Sequence, residues 1–234
     1  MYMGFVTIYM KNISEYKQED VEHFLSMIST GRREVVLRKK AWKDQIRSAV
    51  CEVLLWRGLS DLGFDIEELA VDYREKKPQL FDRYAKILVE KTGMDPSAMK
   101  VGVDFSFTHS GDYVLCGISD LPIGVDVEKI RDKMPLYSNH VFSKEEEMLV
   151  RNSEDENREF LKYWTCKESY IKCAYPKEEH LRSVTLNMAN LPYPILEDEK
   201  RKDYYFETHP LNSDYQWALC AKTKENFLLN IVEL

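Results

Sequence analysis

The sequence predicts a mixed α+β fold with mostly antiparallel strands. Residues 38–59 and 156–174 carry apolar side chains at helix spacing. Residues 103–108 and 125–128 instead alternate apolar and polar positions, and turns with Gly and Asp separate them from a third strand-like segment over 113–118. Four strand-like segments follow near the C-terminus, separated by polar or Pro-containing stretches. Long helices combined with runs of short, turn-linked strands are typical of α+β domains.

The remaining elements complete this prediction. The apolar opening predicts a first strand, and Ser143 with Glu146 three residues later matches a capping box at the start of a helix. The predicted elements in chain order are a strand over 1–10, helices over 19–29 and 38–59, a short helix over 80–91, a three-strand meander within 103–129, helices over 143–151 and 156–174, and strands at VTLNM, YYFET, YQWALCAK and FLLNIVEL.

Composition argues against several classes of protein. The chain has 234 residues and a net charge of −7, which disfavours nucleic acid or an anionic membrane as the main partner. The apolar opening is too short to span a bilayer and lacks the features of a signal peptide. The five cysteines lie in apolar segments without CxxC spacing, as in reduced core residues. We therefore expect a cytoplasmic protein, and a monomer.

A basic segment stands out against the acidic balance of the chain. Residues 32–47 contain seven basic and two acidic residues. One interpretation is a solvated helix face. The other is a local anion site, which fits a phosphate-bearing small molecule better than a nucleic-acid backbone.

The segment PIGVDVEKI, residues 122–130, places two carboxylates on one face of a strand. Asp126 and Glu128 alternate with Val125 and Val127, and side chains at i and i+2 point the same way. Two adjacent like charges favour a cation between them, and oxygen ligands suit Mg²⁺ or Mn²⁺. The alternative is a solvent-facing edge strand with two surface acids.

A second motif supplies an acid and a base on one helix. WTCKESYIK places Trp164, Glu168 and Lys172 at i, i+4 and i+8, along one face. An ordinary helix ion pair would explain the acid and the lysine equally well. Together with the two strand carboxylates and the basic segment, however, the motif predicts a phosphate-and-metal site.

These motifs, taken together, resemble a known family. FSFTHSGDYV, PIGVDVEKI, FSKEEE and YWTCKESYIK occur in the order and spacing of the large, surfactin-synthetase-activating 4′-phosphopantetheinyl transferases. ISTGRREVVLRKKAWKDQIRSAV is similar to the early basic segment of that family, and KKPQLF to its Lys-Pro loop. The resemblance covers about residues 1–175.

The resemblance implies a fold and an activity. The fold is a pseudo-dimer of two similar halves, each a small antiparallel sheet packed on a long helix. We expect residues 1–110 to hold the coenzyme A-binding basic segment and residues 111–234 to hold the metal and catalytic residues. The implied reaction moves 4′-phosphopantetheine from coenzyme A to a serine of an apo acyl or peptidyl carrier protein, with Mg²⁺ or Mn²⁺, and releases 3′,5′-ADP.

The resemblance also implies roles for individual residues. Asp126, Glu128 and Glu168 are the metal ligands, and Glu168 is the base for the carrier serine, directly or through a water. Lys172 binds the pyrophosphate or protonates the leaving group. Trp164 is a packing residue, and Glu146 is explained by its capping box. The expected contacts around the 3′-phosphate of coenzyme A come from His109, Thr108, Arg47, Arg32 and Lys77.

Departures from the family pattern and rival functions remain open. Ser106, Thr108 and Lys76 replace residues common in the family, and CAYPKEEH, residues 173–180, replaces a Gly- and Lys-containing loop. One rival function is a metal-dependent nuclease, but the E-x-K element usual in such nucleases is missing after the D-x-E of this sequence. A non-catalytic module that binds coenzyme A or a carrier protein is the main alternative. Residues 131–142 either form part of a carrier-docking surface or fold back on the core, and the pathway served is not indicated.

Overall fold

The computed structural model describes residues 3–73, 77–83, 101–131, 141–175, 180–198 and 202–234. Within these residues the chain is mixed α+β, as predicted. The helices are α1 (Val21–Ser26), α2 (Thr30–Leu37), α3 (Trp42–Asp61), α4 (Lys144–Arg151) and α5 (Glu156–Ala174). The strands are β1 (Gly4–Asn12), β2 (Leu69–Asp72), β3 (Gln79–Asp82), β4 (Asp104–Ser110), β5 (Tyr113–Ser119), β6 (Ile123–Lys129), β7 (Leu186–Asn187), β8 (Ile195–Leu196), β9 (Tyr204–Asn212), β10 (Tyr215–Lys222) and β11 (Phe227–Glu233).

The first compact unit comprises Met1–Leu121 and Phe227–Leu234. Its four-stranded sheet has the order β11-β1-β5-β4, in which β1 and β11 run parallel and the other pairs antiparallel. Helix α3 packs across β5, β1 and β4 and buries its apolar face in the core. Strands β2 and β3 form a separate hairpin.

The second compact unit is Pro122–Asn226. Its main sheet has the order β6-β10-β9, entirely antiparallel, and β7 pairs with β8. Helix α5 packs on all three strands of the main sheet, and its buried face joins residues of β9 and β10 in one core. The strand and the helix that carry the predicted carboxylates therefore lie against each other in this unit.

The structure divides the chain at a different place from the predicted boundary at residue 110. That position lies at the end of β4, and the β4–β5 hairpin stays within the first unit. The predicted three-strand meander is wrong in its last strand, because β6 pairs with β10 and not with β5. Side-chain alternation predicts strands but not their partners, and β10 lies almost 100 residues further on.

Two helix predictions also change. The predicted helix over 38–59 is preceded by a separate helix, α2, so the basic segment 32–47 spans two helices. Ser29 caps α2, and the chain is extended at Ala41 before α3 begins. The predicted helix over 80–91 begins where the structure has β3, and the rest of it lies outside the described residues.

Two further observations concern the cysteines and the search for membrane-spanning helices. All five cysteines are buried, as expected for core residues. Across the part of the chain that the structure describes, no helix is both long enough and apolar enough to cross a membrane.

Candidate active site

Strand β6 presents both predicted carboxylates on the face that packs on α5. In the register with β10, Asp126 lies opposite Ala218 and Glu128 opposite Gln216. Asp126 is only 4% exposed, although β6 is at the edge of its sheet. The alternative of two solvent-facing surface acids is therefore wrong for Asp126.

A glycine lets α5 lie directly on β6. A Cβ atom on Gly124 would lie 1.9 Å from Ser169 O and 2.7 Å from Cys173 N, both in the backbone of α5. Such distances are well inside van der Waals contact, so only glycine fits at this position. Gly124 lies two residues before Asp126, and the close approach brings the C-terminal half of α5 to the carboxylate face of the strand.

Lys172 on α5 reaches across to β6. Its Nζ donates to Asp126 Oδ1 at 2.6 Å and to the carbonyl oxygen of Val125 at 3.0 Å. The carboxylate of Asp126 is 6% exposed and the side chain of Lys172 is 28% exposed. An ordinary ion pair between Glu168 and Lys172 within the helix is thus not enough to explain the motif, because Lys172 pairs with Asp126 on the strand.

Glu168 lies in a negative environment. Burial raises the pKa of its carboxyl group, and the charges of Asp126 and Glu128 raise it further, while Lys172 lowers it. The three predicted carboxylates are therefore close enough to repel one another, and a raised pKa suits a group that accepts a proton.

Trp164, one turn before Glu168, stacks on Phe160 at 5.9 Å between ring centroids, which confirms it as a packing residue.

The donor set fits a hard divalent cation. Carboxylate oxygens from β6 and α5 are the ligands that Mg²⁺ prefers, and a cation would relieve their repulsion. In the described ranges, the structure contains no group of three or more His, Cys, Asp or Glu side chains already arranged to hold a metal ion. The ammonium group of Lys172 instead provides a positive charge at Asp126.

In the first unit, Arg32 is held between two aromatic rings. Its guanidinium carbon lies 5.2 Å from the ring centroids of both Tyr73 and Phe107, within cation–π range. Its Nε donates to the carbonyl oxygen of Ser48 at 2.9 Å. The residue is 8% exposed, so this positive charge is fixed in place and largely removed from solvent.

Arg47 and His109 form the second part of this basic region. Arg47 donates through Nε to the carbonyl oxygen of Gly111 at 2.6 Å and through Nη1 to Asp44 at 2.5 Å. Gly111 has φ of +55°, which its turn requires. Burial, together with the charges of Lys39, Arg47 and Arg32, lowers the pKa of His109 to about 4. A neutral imidazole surrounded by fixed cations is an environment that favours a bound anion.

Two other residues predicted to contact the 3′-phosphate, Lys77 and Thr108, are placed differently from His109. Lys77 forms an ion pair of 2.5 Å with Asp104, at the start of β4, whereas His109 is near the end of that strand. Thr108 is buried and adjacent to His109, so the two side chains point to opposite faces of β4. Most of the proposed docking segment, residues 132–140, and residues 176–179 of the variant loop lie outside the described residues.

Comparison with known proteins points to one family of enzymes. Residues 122–222 match the model of the 4′-phosphopantetheinyl transferase superfamily, and this span includes β6, α4 and α5. The 4′-phosphopantetheinyl transferase Sfp of Bacillus subtilis is 24% identical over 214 residues, which are 87% of this chain and 86% of that protein.

The comparisons thus support a 4′-phosphopantetheinyl transferase of the Sfp type.

Other relatives are also named 4′-phosphopantetheinyl transferases. The 4′-phosphopantetheinyl transferase HetI of Nostoc sp. is 32% identical over 117 residues, 47% of this chain and 44% of that protein. The 4′-phosphopantetheinyl transferase gsp of Aneurinibacillus migulanus is 26% identical over 168 residues, 70% and 63% of the two chains. The solved holo-[acyl-carrier-protein] synthase of Thermotoga maritima has a TM-score of 0.38 at 15% identity, over 45% of this chain and 64% of that chain, which is too low to bear on the fold.

Sequence reasoning missed two side chains near Arg32 and His109 in the candidate basic region. Glu52, fully buried in α3, accepts from Ser29 N and Oγ and from the hydroxyl of Tyr73, whose ring lies against Arg32. The apolar residues around Glu52 in the sequence indicate that this carboxylate is buried. They do not indicate its hydrogen-bond partners, which are distant in sequence. Lys39 belongs to the basic segment, and only the folded structure selects it as a charge acting on His109.

Proposed function

We propose that this transferase moves the 4′-phosphopantetheine group of coenzyme A to a serine hydroxyl of an apo acyl or peptidyl carrier protein, with release of 3′,5′-ADP and dependence on Mg²⁺. One observation carries the proposal. Lys172 reaches from α5 to the buried Asp126, beside the carboxylates of Glu128 and Glu168. A cation site next to an acid with a raised pKa matches the needs of phosphoryl transfer.

Asp126, Glu128 and Glu168 would hold the metal ion. Bound Mg²⁺ would screen the negative oxygens of the diphosphate and so favour attack on its phosphorus. Asp126 would exchange the ammonium of Lys172 for this ion, since the carboxylate is held on a strand while a lysine side chain is long and rotatable. This exchange would leave Lys172 available for the substrate diphosphate.

The protein residues then have complementary parts in the transfer. The serine oxygen bonds to the phosphorus that bears the pantetheine group, and the bond from that phosphorus to the bridging oxygen of 3′,5′-ADP breaks. Glu168 accepts the serine proton, directly or through a water, and its raised pKa favours this. Lys172 offsets the charge on the departing phosphate or protonates it.

The basic region of the first unit would bind the 3′-phosphate of coenzyme A. Support comes from Arg32, Arg47 and Lys39, the three cations that lower the pKa of His109. Arg32 and Arg47 are already fixed by their own backbone acceptors, so little side-chain freedom would be lost on binding. We also propose that Lys77 and Thr108 contact this phosphate.

The proposal includes the pseudo-dimer architecture, with the anion-binding half first and the catalytic half second. Each compact unit has a mainly antiparallel sheet and one long helix packed on it, α3 with 20 residues and α5 with 19. We also retain a monomeric enzyme in the cytoplasm, where a reducing environment suits five buried thiols.

The test is the intact mass of an apo carrier protein after incubation with the enzyme, coenzyme A and Mg²⁺. We expect a gain of one phosphopantetheine, abolished by EDTA and by Asp126→Ala. Asp203→Asn is a matched control, because this carboxylate is part of a 3.8 Å surface pair with Lys222. It should modify the carrier at the parental rate.

Other outcomes would assign a different function. Coenzyme A binding without modification of several acyl and peptidyl carriers would indicate a non-catalytic binding module. Parental activity in Glu168→Gln would contradict the proposed base. Absence of both modification and coenzyme A binding would contradict the proposal as a whole, and cleavage of a DNA duplex would then favour the nuclease.

A further inference from the structure

A second lysine of α5 forms an ion pair that is sealed inside the second unit. Lys167 is 0% exposed and its partner Glu146, on α4, is 2% exposed. Lys167 Nζ donates to Glu146 Oε2 at 2.6 Å, to the carbonyl oxygen of Val141 at 2.8 Å and to that of Leu181 at 3.2 Å. All three ammonium protons thus have acceptors, each on a different segment of the chain.

Glu146 is bonded just as completely. Its Oε2 also accepts from the backbone N–H of Ser143 at 2.8 Å, and its Oε1 accepts from that of Leu186 at 2.9 Å. The pair therefore joins the start of α4, the middle of α5 and the segments before α4 and before β7. The capping box predicted from the sequence is present, but it accounts for only part of this network.

Stability alone is a poor reason for such a pair. Burying two charges costs much of what their attraction returns, and apolar residues of similar volume often serve equally well. Hydrogen bonds differ from apolar contacts in that they fix direction as well as distance. What this network adds to the core is therefore a defined orientation for α5.

That orientation matters because the next residue is Glu168. Successive side chains of an α-helix are about 100° apart, so fixing the direction of Lys167 also fixes that of Glu168. A carboxylate carried roughly 6 Å from the helix axis moves by about 1 Å when the helix rotates by ~10°, from the same geometry. A misplacement of about 1 Å can slow a reaction by about 10²-fold.

We propose that Glu146 and Lys167 are positioning residues, which set the rotation of α5 and thereby aim Glu168 and Lys172 at the carboxylate face of β6. This inference rests on the proposed function for its catalytic consequence. Its structural consequence, the contact of Lys172 with Asp126, can be measured independently.

The test uses the double variant Glu146→Leu/Lys167→Met, which removes both charges together and leaves neither one buried alone. We expect it to fold cooperatively but to have a kcat about 10- to 100-fold below the parent. The KM for coenzyme A should change by less than about threefold, because the basic region of the first unit is untouched. In its crystal structure, Lys172 Nζ and Asp126 Oδ1 should no longer be within hydrogen-bonding distance.

Leu161→Ala is the matched control. Leu161 is also on α5 and fully buried, and its truncation should lower stability while keeping both charges of the ion pair. At a temperature where both proteins are folded, Leu161→Ala should keep the kcat of the parent. An equal loss of kcat in the control, or parental kcat in the double variant, would overturn the positioning role.

Failure of the proposed function gives a different result. If the parent enzyme modifies no carrier, kcat values cannot be compared, but the distance between Lys172 Nζ and Asp126 Oδ1 can still be measured. A double variant that keeps the 2.6 Å contact of Lys172 with Asp126 would then refute the inference on its own. Loss of that contact would support it.

Discussion

Helix α5 carries two lysine–carboxylate pairs that differ mainly in burial. Lys167 and Glu146 are 0% and 2% exposed, with every proton of the ammonium group bonded inside the protein. Lys172 and Asp126 are 28% and 6% exposed, and their lysine lies at the solvent edge of the site. The sealed pair can only hold a structure, whereas the open pair can exchange its partner. Burial therefore separates a positioning role from a chemical one on a single helix.

The largest expected effect comes from breaking the sealed pair on one side. Lys167→Met should lower the free energy of unfolding by about 3–5 kcal/mol, because the Glu146 carboxylate is left buried without its counter-charge. Urea unfolding followed by circular dichroism measures this. Lys162→Met is the control, since Lys162 pairs with Glu159 in a partly exposed position on the same helix, and it should cost less than about 1 kcal/mol.

The charge state of Lys167 gives this prediction a further check. Burial lowers the pKa of its ammonium group, and the charge of Glu146 opposes that decrease. If Lys167→Met cost no more than the Lys162→Met control, the pair would be neutral or exchangeable. The contrast between the two pairs of α5 would then be lost.

Breaking the open pair should affect the reaction more than the fold. Lys172→Met should lower kcat by about 10²–10³-fold, the usual effect of removing one charge-stabilising donor. It should also bind Mg²⁺ more tightly than the parent without coenzyme A, because the ammonium no longer competes for Asp126. Calorimetric titration with Mg²⁺ tests this apart from activity. Equal or weaker Mg²⁺ binding in the variant would contradict the exchange of cations at Asp126.

How far the sequence predicts this site depends on the range of the interactions. Asp126 with Glu128 and Glu168 with Lys172, together with the basic segment, predict a phosphate-and-metal site, because strand and helix periodicity places each pair on one face. The contact of Lys172 with Asp126 joins residues 46 positions apart and was not predicted. Local patterns determine faces, whereas partners depend on tertiary packing.

The same distinction explains the errors in the fold. Helix α5 and strands β1 and β10 were predicted closely, since each has a clear apolar pattern of its own. The pairing of β6 was not, because its alternation is equally compatible with β5 and with β10. Glu146 was assigned to a capping box, which is local, and its bond to Lys167 was missed.

The close contact at Gly124 offers a third way to separate fold from chemistry. Gly124→Ala should cost about 1–3 kcal/mol of stability, as overpacking usually does, because the new Cβ would meet the backbone of α5. It should also lower kcat, since α5 must move away from Asp126. Gly102→Ala is the control, as a Cβ there has no neighbour within 4 Å among the residues that the structure describes. Thermal unfolding and carrier modification measure the two effects, and a variant with normal stability and rate would contradict the close packing of helix and strand.

The smallest expected effect concerns His109, whose imidazole is buried near the cations Lys39, Arg47 and Arg32. Its folded pKa of about 4 lies below the ordinary value of 6.5, so between these pH values the unfolded chain binds a proton that the folded protein does not. Its contribution to stability is therefore complete above pH 6.5 and decreases as the pH falls toward 4. Between pH 7 and pH 5, without coenzyme A, the parent should lose about 1–2 kcal/mol more than His109→Gln. Urea unfolding at the two pH values measures the difference, and equal losses in both proteins would show that His109 is not held neutral by burial and the surrounding charges.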